Sequence, residues 1–282
     1  MKAKRMKAKR TKAKRGLILG VFSAKGGVGK TTVVANLGAA LSQKLKNSVI
    51  IVETNMAASN LGLHLGILEP PVVIQDIVFG KLNVREAILT TDYGLHVIPG
   101  SISFMEGVGS IDLRGIMDEI RKEYDLIILD SAPGSNLEVY AAMKACDEIL
   151  ICCQPRVPAI AGALQTFRAA DSFKIPVLGV ILNRATGKRF DIPTSDIKRT
   201  MGWPILTVIP EDDMVEESLL RGVPVILQAP NSPAAIEFRR LAQAVLKHIK
   251  ARKRIVSRKR IISRKRKIRE AAWIKIGAAD AG

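Results

Sequence analysis

A strand, a glycine-rich turn and a helix follow one another directly near the start of the chain. The apolar run Leu17–Ser23 predicts a buried strand, and the amphipathic stretch Lys30–Lys46 predicts a helix. Between them, Gly26, Gly27 and Gly29 allow the backbone to turn its N–H groups inward, at the positive end of that helix. Because a strand that enters a helix through so short a loop begins a crossover unit, the sequence predicts an α/β fold.

The same alternation of apolar runs and amphipathic stretches continues along the chain. Six further strands are predicted from short, mostly β-branched runs: Ser48–Glu53, Leu95–Pro99, Leu126–Asp130, Glu148–Cys153, Val177–Asn183 and Ile205–Ile209. Six further helices are predicted between and after them: Asp112–Glu123, Glu138–Ala145, Ala159–Ser172, Thr194–Met201, Asp213–Arg221 and Ser232–Ile249. We therefore expect a mostly parallel sheet with helices on both faces.

The glycine-rich turn has the residues of a phosphate-binding loop. It reads Ser-Ala-Lys-Gly-Gly-Val-Gly-Lys-Thr-Thr over residues 23–32, and it lies between a predicted strand and a predicted helix, as such a loop must. Lys30 would reach the β- and γ-phosphates, and the Thr31 hydroxyl would ligate Mg²⁺. We expect the nucleotide to contact Lys25, Gly26, Gly27, Val28, Gly29, Lys30, Thr31 and Thr32.

Two polar residues at predicted strand ends add to this site. Asp130 ends an apolar strand and is followed by a Pro-Gly turn, so its carboxylate could hold a Mg²⁺-bound water beside the phosphates. Asn183 follows the apolar residues Val-Ile-Leu, and its amide could both donate to and accept from the edge of an adenine.

Lys-Gly-Gly-Val-Gly-Lys-Thr-Thr resembles the deviant Walker A loop of the MinD/ParA ATPase family, and the resemblance extends over residues 16–246. Further similar stretches follow in the family's order: Asn60–Gly66, Tyr124–Gly134, Leu182–Arg184, Val208–Asp212, Gly222–Val225 and Ser232–Ala235. The last two resemble archaeal MinD-like sequences in particular. The resemblance implies a fold of the P-loop NTPase type, ATP and Mg²⁺ as ligands, and a homodimer that forms on ATP binding.

The resemblance also implies roles for individual residues. Lys25 would cross the dimer interface to the partner's nucleotide and stabilise charge on the transferring phosphoryl group. The adenine site would be formed by Asn183, Arg184, Pro210, Glu211 and Asp212.

The chain departs from the family's pattern at the end of its second predicted strand. Ile-Val-Glu-Thr-Asn over residues 51–55 stands where the family usually has Asp-x-Asp. Glu53 keeps a carboxylate near the Mg²⁺ shell, whereas Asn55 replaces the acid that orients and polarises the attacking water. Because an amide does not accept a proton at neutral pH, ATP binding is better supported than rapid hydrolysis.

Charge divides the chain into a near-neutral centre and two basic ends. The sequence has 44 Lys+Arg against 26 Asp+Glu, a net charge of +18. Residues 1–15 are three basic pentads without an acid, and residues 247–282 have a net charge of +12. We predict a disordered tail over 1–15, an ATPase domain over 16–250 and a basic tail over 251–282.

The target of the C-terminal tail stays open between three interpretations. Trp273, Ile274 and Ile276 would suit the headgroup boundary of an anionic membrane, the dense Lys/Arg residues would equally suit nucleic acid, and a solvated or processed tail is the third.

No apolar run approaches the ~18 residues of a membrane-spanning helix. The three cysteines form no C-x-x-C pair, so reduced thiols in a cytoplasmic protein are expected, with a peripheral position on the inner face of the membrane as an extension.

These features together predict a P-loop ATPase. The reading they favour is an ATP-dependent dimerising switch of the MinD type for spatial regulation such as division-site placement, with slow hydrolysis and an unidentified activator protein. The alternatives are a ParA-like partition ATPase that holds nucleic acid through its tails, and an ATP-bound scaffold that does not hydrolyse.

Overall fold

The computed structural model of the chain describes residues 16–102 and 112–255. The chain divides into two compact units, Met1–Ala242 and Gln243–Gly282, and the sheet belongs to the first. In the second unit, the described residues 243–255 are helical. The predicted tail over 1–15 and all but the first five residues of the one over 251–282 lie outside the described residues, so these boundaries stay predictions.

Eight strands form one sheet in the order β3-β4-β2-β5-β1-β6-β7-β8. They are β1 Leu17–Phe22, β2 Val49–Glu53, β3 Leu89–Thr90, β4 His96–Ile98, β5 Leu126–Asp130, β6 Glu148–Cys153, β7 Val177–Ala185 and β8 Ile205–Pro210. β3 pairs antiparallel with β4, and the other neighbouring pairs are parallel. The predicted α/β class with a mostly parallel sheet is confirmed.

Helices connect the strands and cover the sheet. They are α1 Lys30–Ser42, α2 Ile74–Val78, α3 Leu113–Ile120, α4 Leu137–Ala145, α5 Val157–Ser172, α6 Thr194–Met201, α7 Asp213–Leu220 and α8 Val225–Gln228. Two 3₁₀ turns, Leu63–Leu65 and Val84–Ala87, lie between β2 and β3, and residues 233–242 are also helical.

Alternate residues of the central strands bury against different helices. Ile50 and Val52 of β2 belong to the apolar core that includes residues of α3, α4 and α5. Ile51, between them, faces α1, where a Cβ on Gly38 would lie 2.7 Å from its Cγ2. Because successive side chains of a strand point to opposite faces, the sheet has helices on both of its faces.

The register of the central strands fixes the position of the functional site. β5 lies between β2 and β1, and Asp130 is the Cα partner of Glu53 on one side and of Val21 on the other. The parallel strands therefore end at one edge, where ligands of such sheets bind. The glycine-rich loop that follows β1 begins at that edge.

Differences from the sequence prediction concern short elements and one helix end. β3, α2 and α8 contain two, five and four residues, which is too short for a hydrophobic period to register. α1 ends at Ser42 rather than Lys46, because the chain turns back toward β2 through Asn47, whose φ of 49° is left-handed.

Candidate functional site

The loop between β1 and α1 is shaped by two glycines in the left-handed region. Gly27 and Gly29 have φ values of 72° and 84°, which most side chains disfavour. Gly29 is also the N-cap of α1, so the first N–H groups of that helix receive no side-chain cap from it. A concave row of backbone donors at a helix N-terminus binds anions.

Asn183 ties this loop to β7. Its side chain is buried, and its Nδ2 donates to the carbonyl of Val28 at 2.8 Å. A Cβ on Gly29 would lie 2.3 Å from the same Nδ2, so only glycine fits between the loop and β7. The sequence suggested a contact with a nucleobase, and the structure adds that Asn183 holds the phosphate loop in place.

A cavity of about 350 Å³ opens beside the loop. Among its lining residues are Gly29 and Thr32 from the loop and the first turn of α1. The five residues expected at an adenine site line it together: Asn183, Arg184, Pro210, Glu211 and Asp212. The structure thus brings the two predicted parts of a nucleotide site to one place.

Charged residues around this cavity form ion pairs and hydrogen bonds with neighbouring protein groups. Arg184 has a left-handed φ of 54°, and its guanidinium lies 3.5 Å from Glu211 and 3.7 Å from Glu216. Asp212 caps α7 by accepting from the N–H of Met214 and also accepts from the N–H of Ala234. Asp212 therefore has a structural role in addition to its place in the cavity wall.

Three ionisable residues are buried where β2, β5 and the loop meet. Lys30 is 7% exposed, and Glu53 and Asp130 are each 1% exposed. Asp130 lies near enough to Lys30 and the Thr31 hydroxyl for both to lower its pKa, whereas its Oδ1 has no hydrogen-bond partner among the described residues. A buried carboxylate oxygen that has no hydrogen-bond partner favours a bound cation.

Burial perturbs both acids. Burial and then the charge of Asp130 raise the pKa of Glu53 above its ordinary value, while hydrogen bonds from backbone N–H groups lower it. Burial likewise raises the pKa of Asp130, and Lys30 and the Thr31 hydroxyl lower it. Lys30 therefore favours the ionised form of Asp130, the form that holds a metal or its water.

Glu53 organises the segment that follows β2. One of its carboxylate oxygens accepts from the N–H of Asn55 at 2.9 Å. The other accepts from the N–H groups of Asn60 at 2.9 Å and Leu61 at 3.0 Å. Just after the end of β2, the N–H and the hydroxyl of Thr54 both donate to the Asp130 carbonyl. These two hydrogen bonds hold the ends of β2 and β5 together.

The side-chain amide of Asn55 forms hydrogen bonds within its own loop. Nδ2 donates to the carbonyl of Ala58 at 2.7 Å, and Oδ1 accepts from the N–H of Ala58 at 3.3 Å. The next residue, Met56, donates its N–H to the carboxylate of Glu138 in the first turn of α4. The residue that replaces the expected acid is thus engaged in a local turn, and the same loop is joined to α4.

Lys25 is exposed at the rim of the site. Its carbonyl accepts from the Ser23 hydroxyl at 2.7 Å, which holds the backbone of the loop at this point. Ala24, the departure from the usual glycine, lies against α5, where a Cβ on Gly162 would be 2.9 Å from that of Ala24. The small residue on α5 accommodates the extra methyl group on the loop.

The described residues, 16–102 and 112–255, contain no group of three or more His, Cys, Asp or Glu side chains that could hold a metal ion. They fit a magnesium ion that takes few protein ligands, because the Thr31 hydroxyl and the orphaned Asp130 oxygen lie at the loop. Within the same residues, no helix is long and apolar enough to cross a bilayer.

Sequence reasoning gave no role to Glu138 or His64. Glu138 joins α4 to the loop after β2, and His64 lies 3.2 Å from the Thr32 hydroxyl. His64 lies within the stretch Asn60–Gly66 and Glu138 lies outside the family-like stretches, but in both cases the contact joins distant segments and arises only through the fold.

Comparisons with known proteins agree with this geometry. The AAA domain family model matches residues 16–176, more than half of the chain. The septum site-determining protein MinD of Thermotoga maritima is 32% identical over 241 residues, which cover 82% of this chain and 88% of that protein. The solved cell division ATPase MinD of Pyrococcus furiosus is 31% identical with a TM-score of 0.79, and the match covers 82% of this chain and 99% of that one. MinD of Pyrococcus horikoshii, solved with Mg-ADP, is 29% identical with a TM-score of 0.78, over 82% and 96% of the two chains.

The fold and the loop define a P-loop nucleotide-binding protein, because a glycine-rich turn joins β1 to the N-terminus of α1 at the carboxyl edge of a parallel sheet. Within that class, the chain belongs to the MinD/ParA family of P-loop ATPases.

Proposed function

We propose that this protein binds ATP with Mg²⁺ and hydrolyses it slowly, as a dimerising switch of the MinD type for spatial regulation such as division-site placement. The carrying observation is the buried set of Lys30, Glu53 and Asp130 beside the glycine loop. The relatives named for septum-site determination, and the bound Mg-ADP in one of them, support the proposal.

The roles of the chain's own residues follow from their positions. Lys30 and the loop N–H groups bind the phosphates, and the cavity with Asn183 and Arg184 takes the base. Thr31 and Asp130 would hold Mg²⁺, which neutralises charge on the phosphate oxygens when bound. Glu53 positions the loop after β2 through its three backbone N–H bonds.

Slow hydrolysis is proposed because of Asn55. Its amide is not a proton acceptor at neutral pH, and both of its polar atoms bond to the backbone of Ala58. The same observation favours a second candidate function, an ATP-bound scaffold that does not turn over. Measured phosphate release from the native protein separates the two.

The exposed Lys25 provides a test of the proposed dimer. Lys25→Ala should leave ATP binding by the monomer within a few-fold of the native value. It should weaken the ATP-dependent dimer at least about 30-fold, because removing one partner of a desolvated charge pair costs about 2 kcal/mol or more. Calorimetry measures the first quantity, and light scattering or analytical ultracentrifugation measures the second.

Lys122→Ala is the matched control, since Lys122 is exposed and lies just before β5, at the amino end of the strands. It should dimerise with ATP as the native protein does. Normal ATP-dependent dimerisation of Lys25→Ala would show that this lysine does not act across the interface.

For the C-terminal tail we propose an anionic membrane as the target, with nucleic acid as the alternative. Replacing Trp273, Ile274 and Ile276 with serine should weaken binding to anionic vesicles at least about tenfold, because each apolar side chain that inserts contributes about 1.5 kcal/mol or more. Binding to duplex DNA should hardly change, since it depends on Lys/Arg contacts with phosphates. Co-sedimentation with and without ATP measures both, and a dimer with two tails should bind vesicles more strongly.

Fluorescence gives the control for this experiment. The other tryptophan, Trp203, stacks on Phe167 with ring centroids 3.9 Å apart, so Trp203→Phe removes its signal and keeps an aromatic contact. Trp273 emission should then shift to the blue on vesicles. A fully solvated Trp273 on vesicles, together with DNA binding that falls steeply with salt, would replace the membrane with nucleic acid as the target.

A further inference from the structure

His64 is a half-buried residue in the 3₁₀ turn Leu63–Leu65, between the nucleotide cavity and the loop after β2. Its Nδ1 lies 3.1 Å from the carbonyl oxygen of Asn60, and its Nε2 lies 3.2 Å from Oγ1 of Thr32. A carbonyl oxygen can only accept, so the ring proton is on Nδ1. In the neutral ring, Nε2 is then an acceptor, and the Thr32 hydroxyl donates to it.

The neutral form is the one that burial favours. Burial lowers the pKa of His64 below its ordinary value, and the bond with Asn60 and the charge of Glu216 offset this in part. The direction of the Thr32 hydrogen bond at neutral pH therefore follows from geometry and burial together.

The two partners of His64 belong to two different parts of the site. Thr32 lines the nucleotide cavity beside Gly29. Asn60 donates its N–H to Glu53, and its carbonyl accepts from His64. One imidazole thus joins the wall of the cavity to the loop that Glu53 anchors.

Thr32 has a single hydroxyl proton, and it is donated in a hydrogen bond to Nε2 of His64. A charged phosphate oxygen bound at the loop beside Thr32 is a stronger acceptor than a neutral ring nitrogen, because hydrogen bonds to ions are about twice as strong. If the hydroxyl turns to the nucleotide, Nε2 of His64 loses its donor. The ring is then held only by the bond from its Nδ1 to the Asn60 carbonyl, so the position of that carbonyl is less restricted.

We propose that His64 is a positioning residue that transmits nucleotide occupancy to the Glu53-anchored loop by giving up the Thr32 hydroxyl when a nucleotide binds. This inference rests on the proposed nucleotide binding. It implies that His64 opposes binding, since the bond between Thr32 and His64 must break first. His64→Leu, which replaces the ring with an apolar side chain of similar volume, should therefore bind Mg-ADP about 3- to 10-fold more tightly, the size expected for one neutral hydrogen bond. A residue with a merely structural role would lower affinity when replaced or leave it unchanged.

Two further variants isolate the contact. His64→Gln, whose amide can both donate to the Asn60 carbonyl and accept from the Thr32 hydroxyl, should return affinity toward the native value. In a Thr32→Val background, which has no hydroxyl to compete for, His64→Leu should have no effect on affinity.

Nitrogen-15 NMR of histidine-labelled protein gives the spectroscopic test, because the chain has three histidines. Saturating Mg-ADP should move the Nε2 resonance of His64. His96, whose Nδ1 lies 2.7 Å from the Tyr124 hydroxyl at the fourth strand, should not respond. Backbone amide exchange at Asn60 and Leu61 should change with Mg-ADP in the native protein and much less in His64→Leu.

The outcomes separate this inference from the function on which it rests. Binding of Mg-ADP with an unchanged His64 resonance, or weaker binding by His64→Leu, would overturn the inference and leave the proposed function standing. A calorimetric titration without any binding of Mg-ADP would overturn both.

Discussion

Asn55→Asp should accelerate ATP hydrolysis by about 10²- to 10⁴-fold, the range of a general-base contribution. The structure adds a second reason for a large effect. The Asn55 amide donates to the Ala58 carbonyl, and a carboxylate in its place would meet that carbonyl oxygen as one acceptor meeting another. The aspartate can keep only the bond from the Ala58 N–H, so its second oxygen is expected to turn away from the Ala58 carbonyl and become available to a water molecule in the site. Single-turnover phosphate release measures the change without interference from product release.

Asn55→Ala separates the two parts of this effect. It opens the turn at Ala58 without supplying a base, so its turnover should stay close to the slow native rate. If alanine accelerates hydrolysis as much as aspartate does, opening of the loop rather than base catalysis limits the reaction. Rapid turnover by the native protein that Asn55→Asp leaves unchanged would contradict the proposed role of Asn55.

Lys30→Ala should raise the Kd for ATP at least about 100-fold. Lys30 is the buried cation at the loop, and removing it costs about 3 kcal/mol or more where charges are desolvated. The loss also removes the positive charge that lowers the pKa of Asp130, so the ionised carboxylate that would hold Mg²⁺ is less favoured. Calorimetric titration with Mg-ATP measures the affinity.

The control for Lys30→Ala must exclude a folding defect. Lys46→Ala, at an exposed position between α1 and β2, should bind ATP normally. Circular dichroism and a thermal transition of Lys30→Ala should show a folded protein. A folded Lys30→Ala that binds Mg-ATP with native affinity would show that Lys30 does not bind the phosphates.

Much of the architecture could be predicted because buried parallel strands leave a strong local signal. β5 and β6 begin and end where their apolar runs do, Leu126–Asp130 and Glu148–Cys153. The phosphate loop could be predicted because its glycines, its lysine and its place between strand and helix occur together in sequence. β3 could not, because its two residues depend on pairing with β4 rather than on their own pattern.

The finer geometry of the site depends on contacts between distant segments. Asn183 could be assigned to the site, but its bond with the Val28 carbonyl joins residues 155 positions apart. The same holds for Thr32 with His64 and for Met56 with Glu138. Glu53 was expected near the metal, and its three backbone N–H bonds arise because a loop folds back over it. Such hydrogen bonds depend on the tertiary fold, and they cannot be predicted from a local pattern in the sequence.

The carboxylate of Glu53 also makes the segment after β2 depend on a single side chain. The N–H groups of Asn55, Asn60 and Leu61 all donate to Glu53, the last residue of that strand, so the segment can open only when three hydrogen bonds to one carboxylate break. Such an opening leaves the backbone pairing of the sheet untouched, and we expect it to need less free energy than global unfolding. On warming, the nucleotide site would then be disabled while the sheet is still intact, and the temperature limit of function would lie below the temperature of unfolding.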